Sequence, residues 1–216
     1  MKLSAVTTLF HSYAFIQEFY ERLIIEIKKI TSDYEIIFVN DGSPDNSTEA
    51  VLNLQQADDS VILIELSKNF GHHKAMMTGL KFAEGDYIFM IDSDLEEDPE
   101  LLSPFWKQLN DSKEADVVFA VQNKRKGSWF EKVSGQVYYS LLSLLSTEKY
   151  PVNTLTARIM NRRYVNALKH FEEKEADLWG LFVLNGFKEE SIMVNKKNKG
   201  KSTYTLRRKL GVAIDT

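Results

Sequence analysis

Apolar and polar positions switch between two periods along the first 120 residues. Residues 3–10 (LSAVTTLF) form a short run rich in β-formers. Phe15, Ile16, Phe19, Tyr20, Leu23, Ile24, Ile27 and Ile30 then recur every three or four residues, the stripe of an amphipathic helix. Residues 35–39 (EIIFV) read as a buried strand that ends in the turn signal Asn40-Asp41-Gly42-Ser43. Asp45, Asn46 and Ser47 offer N-caps for a helix carrying Val51, Leu52 and Leu54. Residues 61–66 (VILIEL) are a third strand, 73–82 a helix and 87–91 (YIFMI) a fourth strand. Pro99 opens a helix bearing Leu101, Leu102, Phe105, Trp106 and Leu109, and residues 116–121 (DVVFAV) are a fifth strand.

Strands that alternate with helices imply βαβ crossovers and a mostly parallel sheet covered on both faces, an α/β fold. Ligands bind such sheets outside the carboxyl ends of the strands. That rule selects the loops after Val39, Leu66 and Ile91. The second half is less regular: helical pieces are expected at 138–145, 162–171 and 177–184, and a short strand at 191–194. No repeat, low-complexity segment or linker divides the chain, so residues 1–216 read as one domain.

Composition narrows the chemistry. There is no cysteine, which excludes disulfide scaffolding, thiol catalysis, Cys-ligated zinc and iron–sulfur clusters. The start, MKLSAVTTLF, lacks the apolar core of a secretion signal, and no apolar run approaches the ~20 residues of a membrane span. The chain as given is therefore expected to be soluble. Its net charge of −4 hides an asymmetry. Lys196, Lys197, Lys199, Lys201, Arg207, Arg208 and Lys209 lie in one stretch without an acidic residue. That stretch is either a solvated end or a surface for an anionic partner.

Neither G-x-G-x-x-G nor a P-loop is present. Acid is present instead: Asp92, Asp94, Glu96, Glu97, Asp98 and Glu100 follow the fourth strand. In an extended segment, residues two apart project to one side, so Asp92, Asp94 and Glu96 are expected to converge. Two like charges ~4 Å apart repel by on the order of 4 kcal/mol at an effective dielectric of 20. A divalent cation removes that cost and can hold a diphosphate, and hard oxygen ligands select magnesium, manganese or calcium. For Glu97, Asp98 and Glu100 the plainer expectation is a solvated helix N-terminus. Asp41, on a neighbouring loop, is a candidate to hydrogen-bond a ribose or base, against the plainer role of a turn or cap. The third loop, SKNFGHHKA, opens a helix where free N–H groups, with Lys68 or Lys74, can meet a phosphate. A plain capped turn serves equally there, and adjacent His72 and His73 do not face one metal on a helix.

Together FVNDGSPDNS, LSKNFGHHKAMMTGL and GDYIFMIDSDLEEDPELL resemble the family 2 inverting glycosyltransferases of GT-A fold, notably the branch of dolichyl- and polyprenyl-phosphate sugar synthases. The resemblance spans roughly residues 3–209. It implies a single GT-A (Rossmann-like) domain, a nucleotide-sugar donor, a Mg2+ or Mn2+ ion and inversion at the anomeric carbon. It assigns Asp41 to the nucleoside, Asp92 and Asp94 to the metal and diphosphate, and Glu96 to the metal where relatives carry glutamine. NTLTARIMNRRYVNAL resembles G-D-F-R-L-M-x-R, which puts Arg158 at the acceptor phosphate or donor diphosphate, with Thr156 and Ala157 replacing Asp and Phe. KNKGKSTYTLRRKL resembles R-x-x-G-x-S-K-Y, a basic loop with Lys197 and Lys201 closing over the donor diphosphate or acceptor phosphate.

For a lipid-phosphate acceptor the nucleophile is already anionic. For a saccharide hydroxyl a carboxylate must accept the proton, and Asp177 is the candidate, against an ordinary helix cap. The expected role is sugar transfer to a polyprenyl-phosphate or lipid-linked saccharide acceptor in cell-envelope glycan synthesis, in the cytoplasm at the inner membrane face. The chain stops close behind the segment after which relatives place membrane helices. It is thus either part of a longer protein or held by its basic residues at an anionic membrane surface. The alternatives are a catalytically weakened nucleotide-sugar-binding protein and a nucleotidyltransferase. Nucleic acid is not an expected partner.

Overall fold

β1 (Leu3–Leu9) is buried on both faces, and so are β2 (Tyr34–Asn40) and β4 (Tyr87–Met90), as the near-continuous apolar runs require. The computed structural model describes residues 1–112, 114–122, 153–170, 178–184 and 186–194. The remaining elements are α1 (Tyr13–Ile30), α2 (Ser47–Ala57), β3 (Val61–Glu65), α3 (His72–Phe82), α4 (Leu102–Asp111), β5 (Val117–Gln122), β6 (Thr154–Asn161), α5 (Arg162–Lys169), α6 (Leu178–Leu184) and β7 (Glu189–Val194). A 3-10 turn, Pro99–Leu101, leads into α4. The helix expected at 138–145 lies outside the described residues.

Seven strands form one sheet in the order β3-β2-β1-β4-β6-β5-β7. β1 to β4 run parallel, as the alternation predicts. β6 runs antiparallel to both β4 and β5, whereas β5 and β7 are parallel. The pattern of TLTARIMN does not announce β6, because threonines, an arginine and an asparagine interrupt its apolar positions.

Two cores cover the two faces. Ile16, Phe19, Leu23 and Ile27 of α1 pack with α2 and α4 on Leu3, Ile36, Phe38 and Phe89. Each such side chain, fully buried, contributes roughly 1.5–3 kcal/mol. On the other face α3, α5 and α6 pack on Val6, Ile37, Val39, Ile88 and Met90. Gly79 sets the depth of α3: a Cβ there would lie 2.4 Å from Val6 Cγ1 and 3.0 Å from Val39 Cγ2. This close seating places the N-terminus of α3 beside the carboxyl ends of β1 and β4. Among the described residues, no helix is long and apolar enough to cross a membrane.

Candidate active site

Chain order moves outward from β1 to β2 and β3, then returns to place β4 on the other side of β1. The β1/β4 junction is therefore the switch point of the sheet, where its loops part and leave a crevice. The Ile91 N–H still donates to the Val6 carbonyl at 3.1 Å, so the acidic loop leaves the sheet at that junction. Ser93, only 3% exposed, ties it down: its hydroxyl donates to the Thr8 carbonyl at 2.8 Å.

The three predicted metal carboxylates do not converge. Regular strand geometry stops at Met90, so the period-two projection no longer applies to Asp92, Asp94 and Glu96. Instead the chain turns: Asp94 Oδ1 accepts the Glu96 N–H at 2.9 Å, and Leu95 between them has φ 60°. A left-handed leucine costs on the order of 1–3 kcal/mol, offset here by burial of its side chain in the core under α1 and α4. Among the described residues no three His, Asp or Glu side chains gather closely enough to hold an ion.

Asp92 has a different environment. Its Oδ1 is buried without a hydrogen-bond partner, 3.4 Å from His72 Nε2, and His72 Nδ1 lies 3.1 Å from the Thr8 hydroxyl. A buried acceptor left unpaired is costly and calls for a ligand. Magnesium and manganese take hard oxygen donors, and magnesium commonly uses one or two protein carboxylates with substrate phosphates in the remaining positions. The donor set present suits such a shared ion and does not suit an all-protein cage.

Asp41 is 3% exposed, and both its oxygens are engaged. They accept the N–H groups of Phe70 at 2.7 Å and Gly71 at 3.0 Å, which anchors the loop between β3 and α3. Gly42 makes this approach possible, since at φ 64° a Cβ would lie 2.7 Å from the Lys68 and Asn69 backbone. Lys68 sits exposed on the rim with its ammonium 5.2 Å from the Phe70 ring. Asp45 takes over the expected capping of α2, accepting the Ser47 N–H at 3.1 Å and the Ser47 hydroxyl at 2.5 Å.

Arg158 is placed differently from the phosphate-facing position implied for it. It lies opposite Met90 in the β4/β6 register, 2% exposed, with its guanidinium 3.5 Å from the centre of the Phe182 ring. It donates to the carbonyls of Thr156 at 3.2 Å and Leu155 at 3.3 Å, and burial pushes its pKa down to about 10. Glu97, Asp98 and Glu100 are not merely solvated. Glu97 is buried and accepts the N–H groups of Thr156 at 3.1 Å and Ala157 at 2.6 Å, and Asp98 and Glu100 pair with Arg22 of α1. Glu97 thus clamps the acidic loop to β6, a role no local pattern signals. Asp177, Lys197 and Lys201 lie outside the described residues.

A seven-stranded sheet, mostly parallel, with an acidic loop at its switch point defines an α/β domain of the GT-A kind. Solved structures share the fold. They include the mannosyltransferase PcManGT from Pyrobaculum calidifontis in complex with GDP-Man and Mn2+ (TM-score 0.64, 19% identity, 92% of this chain and 58% of that one). Another is glucosyl-3-phosphoglycerate synthase from Mycobacterium tuberculosis in complex with Mn2+, UDP and glucosyl-3-phosphoglycerate (TM-score 0.63, 18% identity, 97% and 75% covered). Residues 4–169 match the profile of Glycosyl transferase family 2, and the chain belongs to that family. It is 46% identical over its whole length to a glycosyltransferase-named protein of Mycobacterium tuberculosis (strain CDC 1551 / Oshkosh), of which it covers 63%. It is 33% identical to the uncharacterized glycosyltransferase YkcC of Bacillus subtilis (strain 168), of which it covers 67%. The chain thus spans about two thirds of the length of these curated relatives.

Proposed function

We propose that this domain transfers a sugar, with inversion, from a nucleotide-sugar donor to a lipid-phosphate or saccharide acceptor of the cell envelope, using Mg2+ or Mn2+. The observation that carries it is Asp92: a carboxylate at the switch point of a family 2 domain, with one buried oxygen that receives no hydrogen bond. When bound, the ion supplies charge neutralisation for the departing diphosphate. Asp92 and Asp94 would hold it. Asp41 shapes the donor side by ordering the Phe70–Gly71 turn, and Lys68 adds positive charge at its rim. Glu97 holds the acidic loop against β6, and Arg158 stabilises the β6–α6 contact from beneath.

The acceptor decides the remaining chemistry. A polyprenyl phosphate brings its own anionic oxygen, whereas a saccharide hydroxyl requires a base, for which Asp177 is the candidate. The basic stretch at 196–209 suits attachment to an anionic membrane surface, each Lys or Arg contributing ~1 kcal/mol there. Transfer assays across UDP-, GDP- and dTDP-sugars with and without EDTA test the proposal. Full turnover without divalent ion overturns the metal assignment. A second reading, nucleotide-sugar binding without turnover, draws support from the burial of Arg158, and calorimetric binding of metal and nucleotide with no product would establish it.

A further inference from the structure

Three side chains from three elements meet at the β1/β4 junction. Thr8 comes from β1, His72 is the first residue of α3, and Asp92 follows β4. His72 Nδ1 lies 3.1 Å from Thr8 Oγ1, and His72 Nε2 lies 3.4 Å from Asp92 Oδ1. We propose that His72 is a positioning residue for the donor-bound metal: it orients Asp92, and Thr8 orients His72. This deepens the metal-dependent reading above and rests on it.

Attraction to Asp92 requires a hydrogen on Nε2. In that tautomer Nδ1 is left as an acceptor, and the Thr8 hydroxyl is the donor within reach. The relay therefore has a direction, from Thr8 through the imidazole to the carboxylate. At 3.4 Å the Nε2–Asp92 contact is longer than the 2.7–3.2 Å of an N–H···O bond, so a shift of a few tenths of an ångström completes it. With the imidazole on one lone pair of Oδ1, the carboxylate plane is set and the second lone pair of that oxygen is left for the ion. Partners that orient a ligand in this way commonly govern metal affinity.

The fold holds the imidazole in place from both sides. Gly79 seats α3 directly on Val6 and Val39, so the helix cannot move toward the sheet. Asp41 grips the N–H groups of Phe70 and Gly71, the two residues just before His72. An exposed histidine on a helix terminus with no such role would leave ion affinity unchanged when removed.

The test is calorimetric titration of Mn2+ into the protein saturated with UDP or GDP, comparing wild type with His72→Ala, His72→Gln and Thr8→Val. His72→Ala is expected to weaken Mn2+ binding by about 10- to 100-fold. His72→Gln, whose amide nitrogen can replace Nε2–H, should recover most of that loss, and Thr8→Val should lose roughly threefold to tenfold. Melting temperatures without metal should stay within about 3 °C of wild type, a shift that corresponds to little lost stability in a domain of this size. Wild-type Mn2+ affinity in both His72→Ala and Thr8→Val overturns the positioning role and leaves the metal reading intact. So does a loss that His72→Gln fails to recover and that tracks a lowered melting temperature. Absence of Mn2+ and nucleotide binding in the wild type overturns the metal reading, and the relay with it.

Discussion

The two rims of the sheet are built on opposite terms. At the amino ends of the parallel strands, charges are mutually satisfied. Glu35 accepts from Ser4 Oγ at 2.5 Å and the Glu84 N–H at 2.7 Å and pairs with Lys2 at 2.8 Å. Asp116, ahead of β5, accepts from Asn161 Nδ2 at 2.7 Å and from Arg163 at 2.6 Å. Arg162 donates to the carbonyls of Ala83 at 2.9 Å and Gly85 at 2.8 Å. A cavity of about 830 Å3 opens among Asp86, Asp116, Arg162 and Phe187 on this rim. At the carboxyl ends lie His11 and Leu95, non-glycine residues with positive φ, and the Asp92 oxygen that lacks a hydrogen bond. Strain and unmet hydrogen bonding mark where a fold has given up stability for a ligand.

That contrast predicts opposite mutant phenotypes. Asp92→Asn should lower sugar transfer by ~1,000-fold or more, about 4 kcal/mol of transition-state stabilisation, while the melting temperature without metal holds or rises. Near-normal rates would remove the functional rim. Glu97→Ala should cost about 3 kcal/mol of folding stability in urea denaturation, because it strips the acceptor from two backbone N–H groups of β6. Its transfer rate should fall too, since Glu97 joins the acidic loop to the sheet. Asp116→Asn should cost about 2 kcal/mol of stability, yet each folded molecule should transfer sugar within roughly twofold of wild type. A large rate loss there would erase the distinction between the rims.

Much of the carboxyl rim was legible in the sequence because strand ends are abrupt. YIFMI changes to DSDLEED with no polar transition, and EIIFV changes to NDGS. An apolar run that stops at acid locates both a strand and the candidate loop that follows it. The partners of those acids were not legible, since they come from backbone groups and distant elements. Asp41 turns to the Phe70 and Gly71 amides, Glu97 to the amides of Thr156 and Ala157, and neither partner shows in a side-chain pattern. The expected convergence of Asp92, Asp94 and Glu96 assumed that the strand continues, and Leu95 at φ 60° breaks that periodicity. β6 escaped notice for a related reason. Arg158, which reads as a surface or phosphate-binding residue, is buried under Phe182, so the strand never shows a clean apolar run.

The smallest effect is a pH-dependent one, and it bears first on the amino rim. Burial by itself would raise the Asp116 carboxyl, but Asn161, Arg163 and the Lys188 N–H outweigh it, and the net pKa is lowered. Glu35 follows the same pattern, with Lys2, Ser4 and the Glu84 N–H overcoming burial. A carboxyl whose folded pKa lies below its unfolded value contributes stability that is fully present above the unfolded value, near 4. That contribution is lost as pH falls through the folded value. Wild type should therefore lose stability progressively below about pH 4, whereas Asp116→Asn has already lost this term at neutral pH. The stability gap between the two proteins should narrow on acidification, measured by urea denaturation at pH 7 and pH 3. The corresponding gap between wild type and Asp45→Asn should also narrow, because hydrogen bonds from Ser43, Ser47 and the Tyr13 N–H outweigh burial and lower that carboxyl on the opposite rim. A gap for Asp116→Asn that stays constant down to pH 3 would show that its partners stabilise the uncharged acid as well as the carboxylate. The amino rim would then be held by hydrogen-bond geometry and packing, with charge as a minor contributor.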